Sequence, residues 1–197
     1  MKTFKQFLEK KELETNKKLV IYDFDGTLFH SPEPEEGHEI YLKATGKPWP
    51  FKGWWSKIES LLPPIVPQNP DPSWYLNEVV SAQKEDMANP DATVILMTGR
   101  VIHLKDRILD ILENQGIKFH DTYFAGQSGS VGSGTFEVKA NNIRKIIHDD
   151  HTVLEIWEDR PEHCHAFSLL GKELKSEKPN LQTVIIHDVK RGTTEKF

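Results

Sequence analysis

Residues 19–30 read LVIYDFDGTLFH. Leu19 to Tyr22 form an unbroken apolar run, long enough for a strand and short for a helix. A strand without a polar face is covered on both sides, as parallel strands are in layered α/β sheets. The run ends abruptly on Asp23 and Asp25, followed by Gly26 and Thr27. Two carboxylates one residue apart at the end of a buried strand repel each other, so the fold must bring something that compensates them. Gly26 permits a tight turn that aims both side chains.

Outward from this stretch, β-rich runs at 18–23, 93–97, 122–125, 153–157 and 183–187 alternate with helical patterns. Val101, Leu104, Ile108, Ile111 and Leu112 make one helical stripe; Ile143, Ile146 and Ile147 make a shorter one, in a helix expected at 140–148. Strands separated by helices imply βαβ units and an α/β fold with a mainly parallel central sheet. Residues 30–92 break the pattern, holding ten of the twelve prolines and four of the five tryptophans. They read as an irregular, cap-like insert after the first strand of a single domain over 1–197. Within it "PEPEEG", "GKPWPFKGWW" and "PPIVPQNPDP" are expected to be irregular, with helix around Trp55–Leu62 and Trp74–Lys84. The Gly/Ser-rich stretch 125–134 reads as a loop.

The 197 residues, 37% apolar and 28% charged, suit one soluble globular domain, and no run is long enough to span a bilayer. Residues 1–18 lack the apolar block of a secretory signal and read as an amphipathic helix with Phe4, Phe7 and Leu8 on one face. A single cysteine, Cys164, rules out an intrachain disulfide and fits a cytoplasmic protein. The net charge of −5 argues against a wholly basic surface for nucleic acid and leaves room for a local basic groove.

In an open α/β sheet the binding crevice lies at the carboxyl ends of the strands. Three polar clusters fall there: Asp23 and Asp25, then "TGR" at 98–100, then "EDR" at 158–160. Clustered carboxylates with neither imidazole nor thiol favour a hard cation, Mg²⁺, held by Asp23, Asp159 and the Asp25 backbone carbonyl. Asp23 would attack phosphorus and Asp25 would act as acid and base. Thr98 and the Gly99 amide would hold phosphate oxygens at the start of a helix, and Lys139, just before the helix that follows it, would oppose the developing negative charge. Arg100 and Arg160 either bind phosphate or pair with a nearby acid. His163, Cys164 and His165 do not have the spacing of a zinc site, and "HDDH" at 148–151 reads as a solvated turn.

"DFDGTL", Thr98, Lys139 and "EDR" resemble, in order, the four motifs of the haloacid dehalogenase (HAD) superfamily. "LMTGR", "TFEVK" and "IWEDRPEHCHAF" resemble most the HAD domain of the Swiss Army Knife RNA-repair group. The resemblance implies a Rossmann-like three-layer sandwich with the first and fourth strands adjacent. It also implies Mg²⁺-dependent phosphoryl transfer with Asp23 as nucleophile. The fourth motif has Glu158-Asp159 where two aspartates are usual, and Asp159 is the favoured ligand of the two. The expected partner is a phosphorylated substrate, with no membrane and no obligate protein partner. It is a nucleotide or a nucleic-acid end, bordered by segment 49–55, with Trp54 or Trp55 stacking a base and Lys52, Lys57 and Arg100 tracking phosphates. The alternatives are a small-metabolite phosphatase and a non-catalytic module that binds a phosphorylated partner.

Overall fold

The computed structural model describes residues 17–126 and 134–197. The expected N-terminal helix and most of the Gly/Ser-rich loop lie outside these residues. A six-stranded sheet forms the middle layer: β1 Lys17–Tyr22, β2 Ala92–Val101, β3 Asp121–Ala125, β4 His151–Glu158, β5 Thr183–Asp188 and β6 Thr193–Lys196. Their spatial order is β3-β2-β1-β4-β5-β6, parallel throughout except for β6. β1 is central because it is apolar on both faces. Val20 and Tyr22 enter one core with Val94, Leu96, Ile108 and Leu112. Leu19 and Ile21 enter the other with Ile95, Met97, Ile143, Leu154 and Phe167. The chain winds outward from β1 through β2 to β3, then returns to place β4 against the free side of β1. The winding therefore reverses between β1 and β4, which opens a crevice at their carboxyl ends.

Five helices are described: α1 Pro34–Thr45, α2 Asn77–Ala88, α3 Lys105–Glu113, α4 Thr135–Ile146 and α5 Pro161–Glu177. α3 joins the first core, and α4 and α5 cover the second. Several boundaries correct the sequence reading. The stripe from Val101 contains strand first, because β2 runs to Val101 and α3 begins only at Lys105 after a short 3₁₀ turn. α4 starts at Thr135, five residues before the expected helix, so Lys139 lies inside it. The "HDDH" turn is not wholly solvated, since His151 is buried and its Nδ1 accepts the His148 N–H at 2.9 Å.

The 30–92 insert holds more regular structure than its prolines suggest. Pro34 sits in the first turn of α1, where the missing N–H costs nothing. In place of the helix expected around Trp55–Leu62 stands a 3₁₀ turn, Ile58–Leu61, and the second expected helix is α2, shifted to Asn77–Ala88. Trp54, Leu61, Ile65, Val66 and Tyr75 join the first core, so the insert packs on the sheet. The buried Arg107 of α3 clasps it: Nε donates to the Leu61 carbonyl at 2.9 Å, Nη2 to Pro67 at 2.8 Å and Nη1 to Gln68 at 2.9 Å. The Trp54 ring lies directly on the α1 backbone at Gly37, where any Cβ would overlap it, and its Nε1 donates to the Pro32 carbonyl at 3.0 Å.

That contact yields a prediction with a diagnostic sign. On an unobstructed helix, Gly37→Ala would stabilise by about 1 kcal/mol. Here the ring blocks the methyl, and overpacking should cost about 1–3 kcal/mol, lowering Tm by several degrees. A thermal melt of Gly37→Ala that matches or exceeds wild type would show that Trp54 does not lock α1.

Candidate active site

Asp23 follows β1, and its N–H donates to the Trp157 carbonyl of β4 at 3.0 Å, which ties it to the switch point. The chain then turns tightly. Gly26 has φ +67°, its N–H donates to Phe29 O at 2.8 Å, and the Leu28 and Phe29 amides return to Phe24 O at 3.1 Å. Gly26 is required twice: its φ is left-handed, and a Cβ there would overlap the Asp159 carboxylate. The Asp23–Thr27 turn and the end of β4 are therefore in contact.

Asp23, Glu158 and Asp159 form one carboxylate cluster, with an oxygen from each within 4.8 Å of the others. Lys139 reaches it from the second turn of α4. Its Nζ is 2.7 Å from Glu158 Oε2 and 3.0 Å from Asp23 Oδ1, and the lysine is 3% exposed. Burial works against that ammonium, but Asp23 and Glu158 outweigh it and push its pKa above the ordinary lysine range. Glu158 is drawn the other way. Burial opposes its charge, yet Lys139 and His163 hold its carboxyl below the usual range. One lysine does not balance three acids. Burial, with Glu158 and Asp25 nearby, raises Asp23 to about 7 against the pull of Lys139. Burial, then Asp23 and Glu158, raises Asp159 to about 8. Asp23 Oδ1 and Asp159 Oδ1 are buried with no aligned hydrogen-bond donor. Three hard-oxygen donors with more acid than one lysine offsets, and an Asp159 oxygen left without a donor, fit a divalent cation.

The Asp25 side chain stands apart from this cluster. Arg100 grips it, with Nε at 3.1 and 2.9 Å from the two carboxylate oxygens and Nη2 at 2.8 Å from Oδ1. Arg100 is 1% exposed and fully engaged. Its Nη1 donates to Ser60 Oγ at 2.8 Å and to the Trp55 carbonyl at 3.2 Å, and its guanidinium lies 4.7 Å from the Trp55 ring centroid. Of its two expected roles, the structure places Arg100 in the pairing one.

Other expected site residues divide as follows. Thr98 lies near the carboxyl end of β2, and its Oγ1 accepts the Arg100 N–H at 3.1 Å. It and Gly99 belong to β2, so they do not open a helix as expected, because the strand continues to pair with β3 at Val101. Arg160 precedes α5, with its N–H on Glu158 Oε1 at 3.3 Å. Trp54 is buried beneath α1 and presents no face to a substrate, while Trp55 lies half-buried against Arg100. Ser60 is an addition. His163 Nδ1 lies 3.5 Å from Glu158 Oε2. Nothing local in the sequence singles out Ser60, whose place depends on how the insert folds back.

Residues 41–195 match the family described as HAD domain family 1 in Swiss Army Knife RNA repair proteins. The chain belongs to this HAD family. The matched span begins after the Asp23–Thr27 turn and takes in Thr98, Lys139, Glu158 and Asp159. The chain is also 35% identical over 89 residues to an uncharacterized protein of Saccharomyces cerevisiae, YMR265C. That alignment covers 42% of this chain and 19% of the yeast protein. No solved structure matches. Membership supports a phosphohydrolase in general. Among the described residues of this HAD domain, no helix is long and apolar enough to cross a membrane.

The raised carboxyls set a pH dependence in metal-free protein. Unfolded aspartates ionise near pH 4, whereas Asp23 and Asp159 hold their protons in the fold until about 7 and about 8. The folded state binds more protons across that window, so these two groups lower stability as pH rises from about 5 to 8. Glu158 is shifted down and contributes stability that is lost only in acid, below this window. His151, which burial holds below its usual range, favours the fold as pH rises and partly masks the effect. The comparison is therefore with Asp159→Asn. In chelator, the variant should gain stability over wild type as pH rises from 5 to 8, by about 1 kcal/mol or more in urea titrations. A difference that does not change with pH would place the Asp159 carboxyl in solvent.

Proposed function

We propose that this HAD domain is a Mg²⁺-dependent phosphatase that hydrolyses a phosphomonoester through a phosphorylated Asp23. The observation that carries the reading is the buried Asp23–Lys139–Glu158 arrangement beside the unsatisfied Asp159, at the sheet's switch point. Asp23, Asp159 and the Asp25 carbonyl would hold the cation. Glu158 is committed to Lys139 and acts as its brace. Bound there, Mg²⁺ would neutralise the carboxylates and the phosphate oxygens.

The chain's own groups carry the remaining chemistry. An Asp23 oxygen attacks phosphorus and the bond to the leaving oxygen breaks. Asp25 gives that oxygen its proton, then takes one from the water that attacks the acyl phosphate, so inorganic phosphate leaves and Asp23 is restored. Thr98 and the Gly99 amide line the phosphate site from β2, and Lys139 faces the negative charge that develops. Arg160, next to Asp159 in the chain, would bind a phosphate oxygen. Arg100 contacts both Asp25 oxygens, so the proton would be carried on a lone pair of that carboxyl which the guanidinium leaves free. The family's description points to RNA repair, and we extend it to this chain as a preference for a nucleotide or nucleic-acid end over a small metabolite.

Two measurements test this reading. Asp23→Asn should abolish turnover of an aryl phosphate, by at least about a thousandfold, with its fold intact. Asp25→Asn should lose about 10²–10⁴. Millimolar Mg²⁺ should raise the Tm of wild type and leave Asp159→Asn unmoved, since a ligand of the native state stabilises by mass action. Retained turnover in Asp23→Asn, with deamidation excluded by mass spectrometry, would end the covalent mechanism.

A further inference from the structure

The insert contains a surface whose chemistry differs from the rest of the protein. Over the whole chain acids outnumber bases, 30 to 25. Residues 40–58 reverse this, with Lys43, Lys47, Lys52 and Lys57 and no aspartate or glutamate. Lys43, Lys47 and Lys52 are exposed. Between them the chain presents aromatic rings on a fixed base. Trp49 is held by its Nε1, which donates to the Gly53 carbonyl at 3.1 Å, and its ring packs against His38, Tyr41 and Trp54 at centroid distances of 4.9–5.6 Å. Phe51 meets Trp49 edge-on at 5.1 Å and remains 38% exposed, with the Lys57 ammonium 5.9 Å from its centroid.

The geometry points to a docking surface for single-stranded nucleic acid, formed by the Trp49–Phe51 edge and these four lysines. Such a strand alternates flat apolar bases with negative phosphates, and this surface alternates rings with cations. A ring already immobilised by packing loses little freedom when a base stacks on it, and stacking of this kind is worth about 1–3 kcal/mol per base. Glu39 and Glu59 flank the segment, but among the described residues none of the four lysines is in an ion pair, so their charge is available to phosphates. The surface also leads to the cleft. Four residues after Phe51, the Trp55 carbonyl and ring contact Arg100, which holds Asp25, and that span is at most about 14 Å. A strand lying on the platform could thus place its end at Asp23. This last point rests on the phosphatase reading; the docking surface itself does not. It also revises the expected stacking residues, from the buried Trp54 and the Arg100-covered Trp55 to Trp49 and Phe51.

The test uses fluorescence anisotropy with a labelled single strand of about 12 nucleotides that lacks terminal phosphates. Wild type should bind it with an affinity that falls as salt rises. The double variant Lys47→Glu, Lys52→Glu should bind at least about tenfold more weakly, with a shallower dependence of log K on log salt, by about one. Phe51→Ala should lose about fivefold or more. All three proteins should hydrolyse a small aryl phosphate equally. The proposal fails if wild type does not bind the strand, or if the variants bind it as wild type does. It fails equally if the Phe51-dependent ligand proves to be anionic phospholipid vesicles and not the strand. Strand binding that depends on Phe51 and the lysines, in a protein that releases phosphate neither from an aryl phosphate nor from a 3′- or 5′-phosphorylated strand, would uphold the surface and refute the phosphatase.

Discussion

The ammonium of Lys139 is the interaction on which this site depends. Asp23 and Glu158 end neighbouring strands, and the parallel pairing of β1 with β4 brings them together whether or not their charges agree. Burying two carboxylates side by side is expensive unless a cation is enclosed with them. Lys139 supplies it from a third element, α4, at 2.7 and 3.0 Å. Removing that ammonium would leave the buried carboxylates uncompensated, at about 3–5 kcal/mol. The packing of α4 on the second sheet face and the electrostatics of the cleft are thus one structural fact. Asp159, outside the lysine's reach, keeps the surplus charge that makes the cluster receptive to a further cation.

A second arginine-centred arrangement governs the other aspartate. Asp25 is not positioned by its own turn alone. Arg100, at the end of β2, aims it, and Ser60 and the Trp55 carbonyl in turn hold Arg100. Asp23 is therefore set by the sheet, and Asp25 by the sheet together with the insert. Two carboxylates one residue apart answer to different parts of the protein, so events at the insert can reach Asp25 while Asp23 stays fixed.

Much of this was legible in the residues. The two-faced apolar run of β1, the continuous runs of β2 and β5, and acids following strands led to a parallel α/β sheet with its crevice at one edge. Asp23, Asp159 and Lys139 do come together there. Local patterns failed where neighbours decide. α1 was hidden because proline in a first turn reads like proline in a loop. β6, with all four residues exposed, has no apolar signal and exists because a hairpin returns it to β5. The start of α4 was obscured by the glycines before it. The pairing of Arg100 with Asp25, 75 residues apart, and the contribution of Ser60 are long-range geometry that no spacing rule contains.

Arg107 treats the insert differently. It holds the insert through hydrogen bonds to the main-chain oxygens of Leu61, Pro67 and Gln68. A clasp that recognises only backbone is indifferent to residue identity. The exposed residues of the insert, those around Trp49 and Phe51 included, can drift in sequence without loosening their anchorage on the sheet. This arrangement separates the stability of the scaffold from the chemistry displayed at the cleft's border.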